Sequence, residues 1–521
     1  MRACILVGAA ALMLVGIQWG LPNVESWNGD DISPDKPLRV AYDWVEGAHK
    51  YPYLHWWLNA ALYAPYVAAR ALLGQVDLGC LPRLVPSCFA EPVRDMTVLM
   101  VLSRLLSVAM GLGIVLGAER LARALHRDGA AALSAGAICA ASATLVAFAH
   151  TANLDVPHAF WFTWSLVAAV RVWQRGTDLD YLVFGTLAGF ALSTKDTIVG
   201  AYVLPGLALA GLHVARVARE QGGRGVSVLR AALLDRRFAA LALLPLAIFA
   251  LVQNAIGNPA GVTEHVRIWV EGGPVLREYR AHFHGLAHQA WRLGNSLEAA
   301  LGAPMALLGV VGVVVAPLRH RALAAFWVVL ASYALFSIVP GFVEPRVVLP
   351  LVPILAVGAG VLAAAALRAR PPLRWLALAA VGAAFLHEVG VAVNADAHLL
   401  RDPRYEAERW IARNVDRSAR IAALGGSDFM PRLEQLGFAP IWFKPSAIQP
   451  RGFEVRSFEY AILTWPYHPD SDEAWQNALR SGETGAPVLF DVRPGTPLDR
   501  WFGTRWHPGL TRPRITVVRL E

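Results

Sequence analysis

The chain has 521 residues, 56% of them hydrophobic and only 17% charged, with a formal net charge of +8. A soluble protein carries about 25% charged residues, whereas several stretches here run roughly 17 to 22 residues with almost no charge, the length that crosses a hydrocarbon core. These figures exclude an ordinary soluble enzyme and identify a polytopic α-helical membrane protein. The positive charge is no sign of a nucleic-acid partner, because Lys and Arg fall in short loops between apolar runs, where orientation signals belong.

In chain order, "MRACILVGAAALMLVGIQWG" (1–20) has one basic residue and no small-x-small cleavage site, and is expected to be an uncleaved signal anchor. "SWNGDDISPDKP" (26–37) then places Asp30, Asp31 and Asp35 among turn-forming residues. After the ambiguous run "LHWWLNAALYAPYVAARALLG" (54–74), apolar runs recur at 97–117, 130–148, 157–174, 180–194, 197–215, 238–256, 298–317, 322–339, 346–367 and 374–393. Basic clusters fall at Arg120, Arg123 and Arg127; at Arg171 and Arg175; from Arg216 to Arg237; at Arg319 and Arg321; and at Arg368, Arg370 and Arg374. If 54–74 does not span, every cluster is cytoplasmic; if it does, nearly all land outside, against the positive-inside bias. The segment is therefore expected to be an interfacial helix on the outer surface. Eleven spans result, with a cytoplasmic N-terminus and an extracytoplasmic C-terminus.

Residues 1–395 form the multi-span domain, with 21–96 its first extracytoplasmic loop and 257–297 a large outer loop. From 396 to 521 the composition becomes that of a soluble domain. "DPRYEAERWIARNV" has helical spacing of Tyr405, Trp410 and Ile411, and "ARIAAL", "YAILTW", "APVLFDV" and "RITVVRL" are short β-like runs, so a small α/β domain is expected. Cys4 and Cys139 lie in apolar segments and are expected to be small buried hydrophobes. Cys80 and Cys88 bracket "CLPRLVPSC"; they form a local disulfide if that loop faces an oxidising compartment, and are otherwise two unpaired thiols.

On this topology the acidic loop shares the outer face with "HTANLDVPH" (150–158), "STKDT" (193–197) and "VPGFVEPR" (339–346). Asn153 or Asp155 caps the following helix, with Pro157 in its first turn, and capping leaves Asp155 free to act chemically. Lys195 interrupts two apolar runs, either snorkelling with Asp196 as its partner or serving a site. Arg346 opens its span at the outer end. Several charges converging on one membrane face suggest a site, and these suit one reaction class. A carboxylate takes the acceptor's proton, while Lys and Arg near headgroup level hold a phosphate and stabilise its charge as it leaves. A lipid-linked phosphosugar brings its own leaving group, so no nucleotide-binding domain is needed, and no glycine-rich phosphate loop stands out.

The order of motifs "WNGDDISP", "KYPYLHWWLNAALY" (50–63), "SRLLSVAMGLGIVLGAERLAR", "AHTANLDVPHAFWFTWSL", "FALSTKDT" and "EPRVVLPLVPILA" resembles the GT-C superfamily of polyprenyl-phosphate-sugar-dependent glycosyltransferases. The likeness is greatest to its bacterial protein O-mannosyltransferase-like and aminoarabinose-transferase-like members, and covers about residues 5 to 370. The resemblance implies a membrane glycosyltransferase of the bacterial inner membrane that inverts the sugar and acts on an extracytoplasmic protein, lipid or glycan acceptor. By the same resemblance, Asp30 is the catalytic base, Asp31 assists it and Asp155 is a second acid. Lys195 and Arg346 bind the donor phosphate, and Tyr51 and His55 are pocket residues. Asp35 takes the base role if the loop is registered differently.

Two departures stand out. Asp31 replaces the family's Glu, one methylene shorter, and the charged Asp196 after Lys195 is expected to weaken the local positive field. The donor lipid is the only cofactor-like partner called for, and the divalent-metal requirement stays open. His265, His282, His284 and His288 are expected to be surface histidines rather than metal ligands. Glu388, beside His387, is expected near the outer interface, where water reaches it. The competing readings are a secondary transporter using Asp155, Lys195 and Glu388, and a non-catalytic scaffold. The polar islands gather at one face and no internal repeat is evident, which disfavours the transporter.

Overall fold

The computed structural model describes all residues except 29–30, 48–49, 224, 273–282, 339–342, 444–457, 466–472, 483–484, 504–512 and 521. The chain divides into two compact units. The first comprises Met1–Val15, Ile32–Ala90 and Val101–Ala392; the second comprises Gly16–Asp31, Glu91–Met100 and Val393–Glu521.

The first unit is helical. Helix occupies each apolar run, either continuously, as in Asp155–Gln174 and Asp178–Thr194, or broken, as in Gly129–Ala140 followed by Ala143–Ala149. Among the described residues, four helices are long and apolar enough to cross a membrane (Pro92–His126, Asp196–Gln221, Leu349–Leu367 and Leu373–Asn414). The number is up to six if each bent pair is one span. The bends are 55° between Gly129–Ala140 and Ala143–Ala149, and 110° between Gly285–Leu301 and Ala303–Arg319. The remaining runs hold shorter or more polar helices, so length and composition alone do not return eleven spans.

Between bilayer helices there is little hydrophobic drive, because lipid tails are as apolar as Leu, so close approach of small residues does the packing. Val352–Leu367 shows this on two sides. A Cβ on Gly312 of Ala303–Arg319 would lie 2.2 Å from the Gly358 carbonyl oxygen. On the other side, a Cβ on Gly360 would lie 2.6 Å from the Ala131 oxygen. Only hydrogen fits at these crossings.

The helix Leu54–Leu72 contains Pro65 and is tied inward by polar contacts. Ser103 Oγ donates to Asn59 Oδ1 at 2.6 Å and is hydrogen-bonded to the Tyr63 hydroxyl. Just before it, Trp44 Nε1 donates to Val252 O (2.9 Å) and Asn254 Nδ2 to Trp44 O (3.0 Å), fixing the short helix Val40–Glu46. The loop that follows Leu54–Leu72 is closed by a Cys80–Cys88 disulfide with a Cα–Cα separation of 6.3 Å. Of the two free cysteines, Cys139 is buried, whereas Cys4 is exposed on its apolar helix rather than buried as expected.

The second unit is built on five strands: β1 (Ile421–Leu424), β2 (Ile441–Phe443), β3 (Tyr460–Trp465), β4 (Val488–Val492) and β5 (Arg514–Arg519), in the order β2-β1-β3-β5-β4. β1 is parallel to both β2 and β3; β5 runs antiparallel to β3 and β4. Alternate residues of a strand face opposite ways. Ile421 and Ala423 accordingly join Ala407 and Ile411 of the helix Pro403–Asn414 on one face. Ala422 and Leu424 join Leu479 of the helix Glu473–Ser481 on the other. Cover on both faces explains why β1 is apolar throughout rather than alternating.

Candidate active site

Asp155 begins the helix Asp155–Gln174, its backbone N–H donating to Asn153 Oδ1 at 3.0 Å. Asn153 is thus the residue that caps, and the Asp155 carboxylate is left for other work. Lys195 ends the helix Asp178–Thr194 in an extended conformation (φ −155°, ψ 104°), followed by a single 3₁₀ turn at Asp196–Ile198. That extension points the ammonium at Asp155: Lys195 Nζ lies 2.6 Å from Asp155 Oδ1. The side chains are 14% and 4% exposed, so the pair is nearly withdrawn from water. Tyr51 presents its ring 5.8 Å from Lys195 Nζ and packs against the cluster of Ile32, Tyr53, Trp56 and Leu154. Arg346, in the turn before Leu349–Leu367, is held by Glu344 at 2.9 Å and acts on the Asp155 carboxylate electrostatically together with Lys195. Ile32 N–H donates to Ala152 O at 3.0 Å, tethering Ile32 to the segment before Asp155.

Asp155, Lys195, Arg346 and Tyr51 thus belong to one cluster in the first unit. His55 is fully buried, and burial holds its imidazole down at about 3, so it is neutral at physiological pH. Neither of its ring nitrogens has a hydrogen-bond partner among the described residues. Asp30 lies outside the described residues. Asp31 belongs to the second unit, where it is 5% exposed and accepts a hydrogen bond from Ser26 Oγ. Its N–H donates to Asn28 O at 2.9 Å, and Asn28 N–H donates to Ser26 Oγ at 3.1 Å. These bonds orient the Asp31 carboxylate. Asp35 opens the short helix Asp35–Leu38.

Three expectations need correction. Lys195 does not pair with Asp196; Asp196 faces His265, whose Nε2 lies 2.9 Å from Asp196 Oδ2. His265, on the helix Pro259–Gly272, is accordingly buried at 3% exposure and not a surface histidine. The Asp196 carboxylate is thus turned to His265 rather than to Lys195. No spacing rule joins residues 69 apart, so this contact had no sequence signal. Glu388 is the third: it is 0% exposed, and neither carboxylate oxygen has a hydrogen-bond partner among the described residues. His282 lies outside the described residues, while His288 is exposed and stacked on Trp291. Among the described residues no group of three His, Cys, Asp or Glu side chains is placed to hold a metal ion.

In the second unit the acidic loop is fastened by residues the motifs did not mark. Trp19 and Trp27 are buried with Leu399 and Tyr405. Trp19 Nε1 donates to Asp402 Oδ2, and Gly20 N–H to the Tyr405 hydroxyl, both at 2.9 Å. Arg404 is fully buried, chelates Asp402 through two bonds of 2.9 and 2.6 Å, and lies 4.2 Å from the Trp27 ring centroid.

Residues 92–257, which contain Asp155 and Lys195, match the PMT family, dolichyl-phosphate-mannose-protein mannosyltransferase. No curated protein matches the sequence at a significant level. Among solved structures, ArnT from Cupriavidus metallidurans in the apo state is similar at TM-score 0.50 with 14% identity, covering 100% of this chain and 97% of that one. The same protein bound to undecaprenyl phosphate gives 0.49 and 14%, over 100% and 98%. The Archaeoglobus fulgidus oligosaccharyltransferase gives 0.48 and 13%, over 88% and 67%. The fold is shared with apo ArnT along the whole chain, and the segment that carries the Asp155–Lys195 pair matches the PMT family.

Proposed function

We propose that the protein transfers a sugar from a polyprenyl-phosphate donor to an acceptor outside the cytoplasmic membrane. The observation that carries this is the buried Lys195–Asp155 pair with Arg346 acting on the same carboxylate. Two cations and a carboxylate at one end of the helices match the needs of phosphate departure and proton removal. The match of residues 92–257 to the family described as dolichyl-phosphate-mannose-protein mannosyltransferase supports a lipid-phosphate-linked sugar as the donor.

In the proposed reaction a carboxylate of the first loop, Asp30 assisted by Asp31, takes the acceptor's hydroxyl or amine proton. The acceptor atom forms a bond to the anomeric carbon as the bond from that carbon to the phosphate oxygen breaks. The electron pair leaves with the phosphate, which gains one negative charge and stays on the lipid. A single displacement of this kind inverts the anomeric centre. Lys195 exchanges Asp155 for the phosphate as that charge develops, and Arg346 adds to the field. Preorganised cations in a site withdrawn from water stabilise such charge far better than they would in bulk solvent. Tyr51 keeps the Lys195 ammonium in place by its ring face.

The test is transfer of radiolabelled sugar from a panel of polyprenyl-phosphate sugars to cell-envelope fractions. Wild type is run beside Asp30→Asn and Lys195→Ala. Transfer by the wild type should fall roughly 10²–10⁴-fold in Asp30→Asn, the loss expected for a positioned base. Lys195→Ala should fall about 10²-fold or more. Equal transfer by all three proteins would remove these residues from the chemistry.

A further inference from the structure

In the second unit a cavity of about 460 Å³ opens between two walls. One wall is the first loop, Asn23 to Trp27. The other is the turn after β1, Gly425 to Ser427, with Met430 to Gln435 and Trp442 of β2. The volume falls within the ~300–1,000 Å³ usual for small-molecule sites. Its floor lies past the carboxyl end of β1, beside two parallel neighbours, where open α/β sheets bind ligands. The turn there is packed tightly on the sheet: Gly425 has φ +156°, and a Cβ on it would meet Thr464 Oγ1 at 2.4 Å.

Both walls are preorganised. Gln435 Nε2 donates to Asn23 Oδ1 at 3.0 Å, and Asn23 N–H donates to Thr97 Oγ1 at 3.1 Å. The Arg432 guanidinium lies 5.1 Å from the Trp27 ring centroid. The same group is spent on Glu408 through bonds of 2.8 and 2.6 Å, so it offers no free positive charge to an anion. The other ionisable groups of the lining, Glu25 and Glu434, are both acidic. Phosphate and other anions are therefore disfavoured. A lipid tail is disfavoured too, because amides, carboxylates and hydroxyls (Asn23, Gln435, Glu25, Glu434, Ser26, Ser427) are interspersed with the apolar side chains of the lining. Trp442 is 38% exposed and supplies an aromatic face. One ligand class uses all of these at once: a sugar, whose hydroxyls both donate and accept and whose C–H face packs on an indole.

The geometry points to a saccharide-binding cavity between the first loop and the C-terminal domain's β1 turn, distinct from the Asp155–Lys195 cluster. It goes beyond the transferase reading and stands on this cavity alone. Ser26 lines it and also holds Asp31, so an occupant rests one side chain away from that carboxylate. A site there suits the sugar portion of an acceptor or a product.

Full-length protein in lipid nanodiscs, free of sugar-based detergent, is titrated with mannobiose, glucosamine and inorganic phosphate and followed by saturation-transfer NMR. No donor lipid is present, so the outcome does not depend on catalysis. Saccharide binding is expected in wild type and in Lys195→Ala. It should weaken roughly tenfold in Trp442→Ala, the loss of one stacking face, and vanish in Ser427→Trp, which fills the space. No saccharide binding up to tens of millimolar, binding untouched by both cavity variants, or phosphate binding that these variants abolish would each overturn the proposal. A protein that binds sugar through Trp442 yet transfers none would instead defeat only the transferase reading.

Discussion

At the scale of single residues, the Asp155–Lys195 pair decides how the site behaves both at rest and in reaction. Each group is nearly buried, and a buried charge without its partner is costly. Lys195→Met alone should therefore destabilise the protein by about 3–5 kcal/mol, because the Asp155 carboxylate is stranded. The double variant Lys195→Met/Asp155→Asn removes both charges and should recover most of that loss while remaining inactive. Thermal unfolding in nanodiscs separates the two effects, and a double variant no more stable than the single one would show that the charges are not coupled. The lysine was legible in the sequence as a cation stranded between apolar runs. Its partner was not: adjacency favoured Asp196, and only the extended backbone at Lys195 turns the side chain toward a residue 40 positions earlier.

At the scale of elements, helices cross where side chains are smallest. Gly312 and Gly358 bring Ala303–Arg319 and Val352–Leu367 into backbone contact, and the second of these helices follows directly from the turn that carries Arg346. Gly312→Leu should thus cost about 1–3 kcal/mol or more, the penalty of overpacking. It should also reduce sugar transfer without touching any charged group. Gly382→Leu, at a position where a Cβ meets nothing within 4 Å, is the control and should be neutral. Both are read by folded yield and melting temperature; equal loss in both variants would mean that bulk rather than this crossing is at issue. Apolar runs in the sequence locate the helices well because hydrophobicity is a local property. They do not say which run is broken: the 110° bend falls at Gly302, where φ is +70° and a Cβ would lie 2.9 Å from His387 Nδ1.

For the molecule as a whole, the division into units is not the division of the chain into a membrane part and a tail. The segment from Gly16 to Asp31 counts with the C-terminal domain, through Trp19, Trp27, Tyr405 and the buried Arg404–Asp402 pair. Arg404→Met should strand Asp402 and loosen this attachment. Hydrogen exchange at the amides of Trp19 to Asn28 is then expected to quicken about tenfold or more, as local opening becomes cheaper. Exchange in the helix Asp155–Gln174 should stay unchanged. Arg514→Met, which breaks a more exposed pair with Asp491, should leave the loop amides alone. If Arg404→Met also leaves them alone, Arg404 is not what holds the loop.

Membrane class, helix positions, the small C-terminal sheet and the motif order that resembles GT-C enzymes all came from the sequence by itself. Each depends on local composition or on residues close together in the chain, which a reader of one sequence can see. The tertiary structure alone decided that Lys195 answers Asp155, that His265 answers Asp196, that Glu388 is sealed from water, and that the first loop is fastened by Arg404 and two tryptophans. These are contacts between residues tens to hundreds of positions apart, and the direction of a side chain is set by the backbone conformation and packing around it, which periodicity and charge counts do not encode.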